Sequence, residues 1–355
     1  MYSLYQRELE QRNNMPFNLF NHKKTQSPPQ APSATVIAGT TGERLKSGIY
    51  SGLKKGWDAF FWMAKILLPI SLAVALLKWS GWLYKVDFVL NPVMNLINLP
   101  SEAAFPVLSG LFINIYAAIA ILTVVPFSLE QMTLIAVFTL VAHSVIVETI
   151  IQHKSGINGF KIVIIRFITA VVTVMLISIF LGDTSQSVTG ITEIMKQGTV
   201  LQALTGWGID TGWLLLKILC IITGIMITLE CLRWLAWDRY LYRFFKPFMK
   251  VLGLSERTVI LWVTAVLFGL MYGSAVILEK SKEGGLTRSE LERLHISIGI
   301  NHSMVEDPAL YMALGINAFW LLVPKLLMAM IATQIYRVVE FMRVRRGGTG
   351  GSKAY

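Results

Sequence analysis

Several apolar runs in this chain approach the length that a bilayer demands of a spanning helix. Such a helix needs roughly 20 consecutive apolar residues, because the hydrocarbon core is about 30 Å thick. The chain is 54% hydrophobic and only 15% charged, whereas soluble domains carry roughly 25% charged residues. We therefore expect an all-α integral membrane protein, with spans at about Phe60–Trp79, Ala103–Val125, Ile157–Leu181, Trp213–Trp234 and Ile316–Val338.

The second half of the sequence repeats the first. A nearly identical phrase follows thirteen residues after each of two histidines (156 − 143 and 315 − 302): Gly156-Ile157-Asn158-Gly159-Phe160 and Gly315-Ile316-Asn317-Ala318-Phe319. Upstream, equivalent positions hold Pro92 and Pro247, Met94 and Met249, Phe112 and Phe268, and Tyr116 and Tyr272. Apolar composition alone does not produce this order of proline, tyrosine, histidine and glycine. The sequence therefore predicts two copies of one membrane unit.

Each copy contains one apolar segment that is interrupted by ionisable residues, at about residues 131–156 and 290–314. Acids at membrane depth are costly and usually functional, and histidine titrates near physiological pH. We predict that these interruptions bind a substrate or ion through His143, Ser144, Glu148, Asn301, His302, Ser303, Glu306 and Asp307. Further candidate pocket residues are Asn158, Asn317, Tyr116, Tyr272 and Ser274.

A purely structural role for the same residues stays open. The histidines and serines could stitch the interruptions together by hydrogen bonds, and Ser303 with Glu306 has the spacing of a capping box at the start of a half-helix. Tyrosines in spans often pack, and asparagines often bond neighbouring helices. A divalent metal is a further possibility, with His302, Glu306 and Asp307 as its ligands.

The distribution of basic residues predicts the topology. Lysine and arginine are enriched on the cytoplasmic side of membrane proteins. Residues 235–257 are strongly basic and should be cytoplasmic, whereas residues 183–210 contain one lysine and should be external. The chain then crosses an odd number of times per half. Three spans per half satisfy this only if residues 131–156 and 290–314 are re-entrant hairpins, which inverts one half relative to the other, as in many secondary transporters.

These arguments divide the chain into five parts. We expect a flexible cytoplasmic tail (residues 1–44), a first repeat (45–182), an external linker (183–210), a second repeat (211–340) and a basic cytoplasmic tail (341–355). Residues 45–57 are predicted to form an amphipathic helix on the membrane surface. Cys220 and Cys231 lie about 16 Å apart along one helix and cannot pair.

At the two histidine–serine motifs and the glycine–isoleucine–asparagine phrases, the chain resembles membrane proteins with a nucleoside-recognition, or Gate, domain. That family includes spore maturation proteins A and B and the membrane gate region of bacterial ferrous-iron transporters. The resemblance covers about residues 47–340. It implies a transporter-like helical bundle with paired re-entrant elements, which agrees with two Gate-like repeats of three spanning helices and one re-entrant hairpin each. We expect a multi-pass protein of the bacterial cytoplasmic (inner) membrane, and the basic segments near both ends of the chain predict that both termini are cytoplasmic. The chain lacks the P-loop of the iron transporters.

The leading functional hypothesis is a secondary transporter of a small polar solute, nucleoside-like or other, coupled to protons or sodium. The alternatives are a non-transporting membrane scaffold and a divalent-cation transporter. We expect no enzymatic activity, because neither a nucleophile triad nor a zinc motif is visible. The expected partners are the lipid bilayer and a small polar solute or ion, with a homo-oligomer open. We expect no nucleic acid and no cofactor; the net charge of +11 lies in loops and tails beside apolar helices.

Overall fold

The structure is a computed structural model that describes residues 40–80, 94–185, 199–267, 269, 277 and 286–346. The predicted tail at residues 1–44 lies almost wholly outside the described residues, as does most of the C-terminal tail. The regular secondary structure of the described part is helical, as the composition predicts. The first half contains α1 (Thr41–Trp79), α2 (Ala104–Phe112), α3 (Ile115–Leu122), α4 (Leu129–Val141), α5 (Val145–Lys154) and α6 (Gly159–Leu181).

The second half contains α7 (Val200–Trp234), α8 (Asp238–Phe245), α9 (Arg288–Asn301), α10 (Glu306–Met312) and α11 (Ala318–Arg346). Residues 259–267 are also helical. Five stretches of the described chain are long and apolar enough to cross a membrane. They are Thr41–Leu77, Leu129–Lys154, Gly159–Leu181, Val200–Trp234 and Ala318–Met342.

α1 is one continuous helix, so the prediction of a surface helix at residues 45–57 followed by a separate span is wrong. Gly48, Gly52 and Gly56 form a stripe at four-residue spacing on the face that packs against α7. A Cβ atom on Gly52 would lie 2.4 Å from the Cα of Ile227. Small residues at this spacing let membrane helices approach closely, and that close contact explains why the N-terminal turns continue into the span.

The partners of the glycine stripe give the direction of α7. Gly48 faces Cys231, and Gly56 faces Thr223, so the two helices run antiparallel. α7 begins at Val200, so residues 200–210 belong to a helix and not to the linker predicted at 183–210. Cys220 and Cys231 are both free thiols, as their spacing predicts.

The predicted span Ala103–Val125 is a short hairpin. α2 and α3 have nine and eight residues, and a helix of nine residues is only about 14 Å long. A Cβ atom on Gly110 would lie 3.3 Å from the Cβ of Ala118, which requires α3 to fold back on α2. The side chain of Asn114 accepts a hydrogen bond from the backbone N–H of Ala117 at 3.0 Å and caps α3.

The segment at residues 131–156 is not a hairpin, although it breaks where the sequence indicates. α4 and α5 both lie along α6 in antiparallel order. The side chain of Gln131 donates to the carbonyl of Thr184, and Gly159 lies against Thr149 at the other end of α6. The break therefore interrupts a spanning helix. Polar residues mark where a helix breaks, but the direction of the chain after the break depends on packing.

The second break, at residues 302–305, has the same form. α9 packs along α11 in antiparallel order: Nε of Arg293 lies 3.9 Å from a carboxylate oxygen of Glu340, and Lys325 donates to the carbonyl of His302 at the break. α10 also packs against α11. The predicted re-entrant hairpin at 290–314 is thus also an interrupted helix. The first half therefore still contains three membrane-length elements and one hairpin. However, residues 103–125 form the hairpin, and residues 131–156 form one of the membrane-length elements.

Candidate functional site

The first break is stabilised by a hydrogen bond that it donates to the α2–α3 hairpin. α4 ends at Val141 and α5 begins at Val145. Between them, Ser144 has a left-handed backbone conformation with φ of 48°. Its backbone N–H donates to the carbonyl of Gly110 at 3.0 Å. Ser144 thus connects the break to the hairpin, and its hydroxyl donates to the carbonyl of Ile113 at 3.4 Å.

The second break is built the same way. α9 ends at Asn301, and Ser303 again has a left-handed backbone with φ of 49°. Its N–H donates to the carbonyl of Ala265 at 3.3 Å. α10 begins at Glu306, its N-cap is Val305, and no side chain caps it. The predicted capping box between Ser303 and Glu306 is therefore wrong: the break unwinds the chain beyond Ser303.

The two breaks meet at their histidines. Nδ1 of His143 lies 2.8 Å from the carbonyl oxygen of Thr139, and Nδ1 of His302 lies 2.9 Å from that of Ile298. A carbonyl oxygen only accepts, so each Nδ1 carries the hydrogen. In neutral imidazoles each Nε2 then presents a lone pair. These two Nε2 atoms are 3.2 Å apart, and both side chains are buried.

Two carboxylates adjoin the histidine pair. Each lies five residues after its histidine (148 − 143 and 307 − 302). Oε1 of Glu148 is 3.7 Å from Nε2 of His143 and 3.5 Å from Nε2 of His302. Oδ2 of Asp307 is 3.7 Å from Nε2 of His143. This oxygen is buried and has no hydrogen-bond partner among the described residues.

Arg166 on α6 completes the first half of the site, although it was not among the site residues predicted from the sequence. Its guanidinium donates to Oε2 of Glu148 at 2.6 Å, to the carbonyl of Val141 at 3.0 Å and to the carbonyl of His143 at 3.2 Å. The side chain is fully buried. Arg166 therefore satisfies two carbonyls left without helical partners by the break, and it neutralises the acid beside them.

Lys325 on α11 takes the equivalent place in the second half. Its Nζ donates to the carbonyl of His302 at 2.9 Å, and the side chain is buried. Both cations lie 23 residues after the histidine of their copy (166 − 143 and 325 − 302). A basic residue within an apolar span, at the same offset in both repeats, is the sequence signal that would have identified Arg166 and Lys325.

A tyrosine of the α2–α3 hairpin also contacts one of the acids. The hydroxyl of Tyr116, at the start of α3, donates to Glu306 at 3.2 Å. The side chains of Gln152, His295 and Asn301 are fully buried without hydrogen-bond partners among the described residues. Buried polar groups are nearly always satisfied in proteins, by ordered water or a ligand where no side chain is in reach.

Not every predicted site residue belongs to this cluster. Asn158 and Asn317 are exposed. The Asn158 side chain accepts from the backbone N–H of Lys161, and that of Asn317 from Phe319. Both asparagines start a helix rather than line the site, because their side chains are used for capping. Tyr272 and Ser274 lie outside the described residues.

The resulting cluster contains imidazole, carboxylate and basic groups from both halves of the chain. The ligand atoms of His143, Glu148 and His302 all lie within 4.8 Å of one another, which is a grouping able to hold a metal ion. The metal set predicted from sequence was His302, Glu306 and Asp307. The structure instead pairs His302 with the acid of the other copy, because Glu306 turns toward Tyr116. Burying so many charges is expensive unless they compensate one another.

The chain is similar to a bacterial membrane protein. It is 28% identical over 299 residues to the uncharacterized membrane protein YvoD of Bacillus subtilis (strain 168), an alignment that covers 81% of this chain and 94% of that protein. No family model matches the chain, and no solved structure matches it. The resemblance to Gate-domain proteins stays a prediction. Together with the five apolar stretches, the similarity identifies the chain as a membrane protein.

Proposed function

We propose that the protein is a secondary transporter whose binding centre is the histidine pair and the acids beside it. One observation carries this proposal: two interrupted helices, one from each half of the chain, bring Nε2 of His143 to 3.2 Å from Nε2 of His302. Secondary transporters bind their substrates and coupling ions between repeats, where broken helices expose backbone groups to the site. The cargo is a small polar solute or an ion.

The burial of the charged groups favours transport over a scaffold. Arg166, Lys325, Glu148 and Asp307 are each more than nine-tenths buried. Ionisable groups at membrane depth are rare and mark ion or substrate pathways. A scaffold gains nothing from this arrangement, because apolar side chains of similar volume would hold the helices at lower cost. We propose no enzymatic role, since the arrangement offers no nucleophile paired with a base.

Alternating access provides the test. In a variant with Cys220→Ser and Cys231→Ser, a single cysteine replaces Ser144, which lies at the first break. A small membrane-impermeant thiol reagent is then added to right-side-out and to inside-out vesicles. We expect modification from both faces, because a transporter exposes its centre to each side in turn.

A cysteine at Lys250, whose side chain is 78% exposed, is the matched control and should react from one face only. Reaction of the Ser144→Cys protein from a single face, or from neither, would contradict transport. Either result would favour a scaffold. The comparison does not require the cargo to be known.

A further inference from the structure

In the described part of the chain, no side chain donates a hydrogen bond to either of the two Nε2 atoms. Because both Nδ1 atoms donate to carbonyls, both Nε2 atoms are acceptors in the neutral rings. Two lone pairs at 3.2 Å repel each other unless a positively charged group lies between them. The only candidates of suitable size are a shared proton and a metal ion.

The relative orientation of the rings favours a metal ion. The ring centroids are 4.9 Å apart, and the ring planes are inclined by 46°. A proton shared head-on would place the centroids well over 5 Å apart at this Nε2 separation. If the lone pairs instead converge symmetrically, they meet about 2.2 Å from each nitrogen at roughly 95°, close to the bond length of about 2.0–2.1 Å from zinc to imidazole.

The surrounding acids supply further ligands. Oε1 of Glu148 lies 3.7 and 3.5 Å from the two Nε2 atoms, near the spacing of about 3.4 Å between neighbouring ligands of a tetrahedral ion. Oδ2 of Asp307 lies 3.7 Å from Nε2 of His143 and is buried without a hydrogen-bond partner. A movement of this side chain toward the two histidines would make it the fourth ligand.

The charge around the centre also accommodates a cation. The cluster contains three carboxyl groups, Glu148, Asp307 and the neighbouring Glu306, and two basic side chains, Arg166 and Lys325. Each basic side chain is bonded to a backbone carbonyl of a break. When all five groups are ionised, their net charge is therefore −1. A bound cation would offset this excess of negative charge.

We propose that His143, His302 and Glu148, with Asp307 as fourth ligand, bind a divalent first-row transition-metal ion such as Zn²⁺, Mn²⁺ or Fe²⁺. Imidazole nitrogen with carboxylate oxygen suits these ions, whereas Mg²⁺ and Ca²⁺ take oxygen ligands. The proposal deepens the proposed function by naming the ion as cargo. The binding itself does not depend on transport.

The test uses the purified full-length protein in detergent, titrated with Co²⁺ as a spectroscopic probe and with Zn²⁺ by calorimetry. We expect one ion per chain, and a visible absorption band typical of four-coordinate Co²⁺ that Zn²⁺ abolishes. His302→Ala and Glu148→Gln should each weaken Zn²⁺ binding by about 10- to 1,000-fold. Mg²⁺ should not compete.

His295→Ala is the matched control. His295 is also a fully buried histidine of α9, but it belongs to no ligand set in the described chain, so its replacement should leave metal binding unchanged. Glu148→Gln keeps the shape of the side chain, and its elution volume in gel filtration shows whether it folds. Absence of Co²⁺ binding in the parent protein, or equal binding in parent and His302→Ala, would overturn the metal site.

Transport is measured separately, with the protein in liposomes that contain a metal-sensitive dye. If the protein binds the metal but the dye signal does not change, the metal site stands and the metal is not the transported cargo. If the protein binds no metal but the Ser144→Cys variant reacts from both faces, only the metal site is contradicted. The transporter proposal then stands. The two failures are therefore distinguishable.

Discussion

At the scale of single residues, the site depends on two basic side chains that donate hydrogen bonds to carbonyl groups at the helix breaks. A helix that stops inside a membrane leaves carbonyl groups without partners, and each costs several kcal/mol if nothing satisfies it. Arg166 and Lys325 avoid this cost at equivalent positions of the two copies, because each donates a hydrogen bond to the carbonyl of the histidine at its break. The arginine reaches a second carbonyl and a carboxylate as well, because a guanidinium has five donors.

We predict that Arg166→Met destabilises the protein by about 3–5 kcal/mol, because it leaves Glu148 buried without its partner. Thermal unfolding in detergent measures the effect. Arg166→Lys should cost less, since lysine already fills the equivalent position at residue 325. The double variant Arg166→Met with Glu148→Gln should recover part of the loss. An Arg166→Met protein that unfolds at the parental temperature would refute this role.

At the scale of elements, the closest contact is the antiparallel pair of α1 and α7. The glycine stripe removes side chains from the contact face, and a polar clamp sits beside it. Oε1 of Glu230 on α7 is 2.6 Å from Nζ of Lys55, and its Oε2 accepts from the hydroxyl of Ser51 at 2.9 Å. Close packing supplies the attraction between helices in lipid, where the hydrophobic effect does not. The clamp adds a charged pair that fixes the register.

Gly52→Ala should therefore weaken the α1–α7 pair. The added methyl would lie 2.4 Å from the Cα of Ile227 and 2.9 Å from the carbonyl oxygen of Met226, and backbone atoms cannot move aside cheaply. We expect a loss of about 1–3 kcal/mol of stability. Gly224→Ala is the control, because nothing lies within 4 Å of its added methyl. It should be neutral or slightly stabilising. Equal unfolding temperatures for the two variants would contradict the close approach.

At the scale of the whole molecule, equivalent residues of the two copies meet around one centre. The histidines, the acids five residues later and the cations 23 residues later all come in pairs. α1 and α7 begin the two copies and run antiparallel. An inverted repeat would produce this arrangement, and we keep the inverted topology as a prediction.

Labelling from the two sides of the membrane tests that topology. A cysteine at Ser185, in the external region predicted at 183–210, should react from outside in intact cells. A cysteine at Lys250, in the basic loop, should react only after the membrane is permeabilised. Both variants carry Cys220→Ser and Cys231→Ser, which removes background labelling. Labelling of both positions from the same side would rule out an inversion between the halves.

The sequence alone determined the class of protein, the repeat and the positions of the breaks. Run length predicts a membrane helix because bilayer thickness sets it, and a constant offset between motifs reveals a repeat without any structure. The breaks at His143 and His302 followed from ionisable residues within apolar segments, since such residues are costly in lipid. The sequence also contains Arg166 and Lys325 at equivalent positions, but their role could be inferred only from the carbonyl groups that they bind in the structure.

Only the tertiary structure decided how these parts combine. Residues 103–125 and 131–156 are both apolar, and contacts with α6 determine that the second one continues across as an interrupted helix. The short hairpin instead forms at Asn114, because α3 packs back on α2 at Gly110. The meeting of His143 and His302 joins residues 159 positions apart. Local patterns cannot specify such a contact, because it depends on the packing of every helix between them.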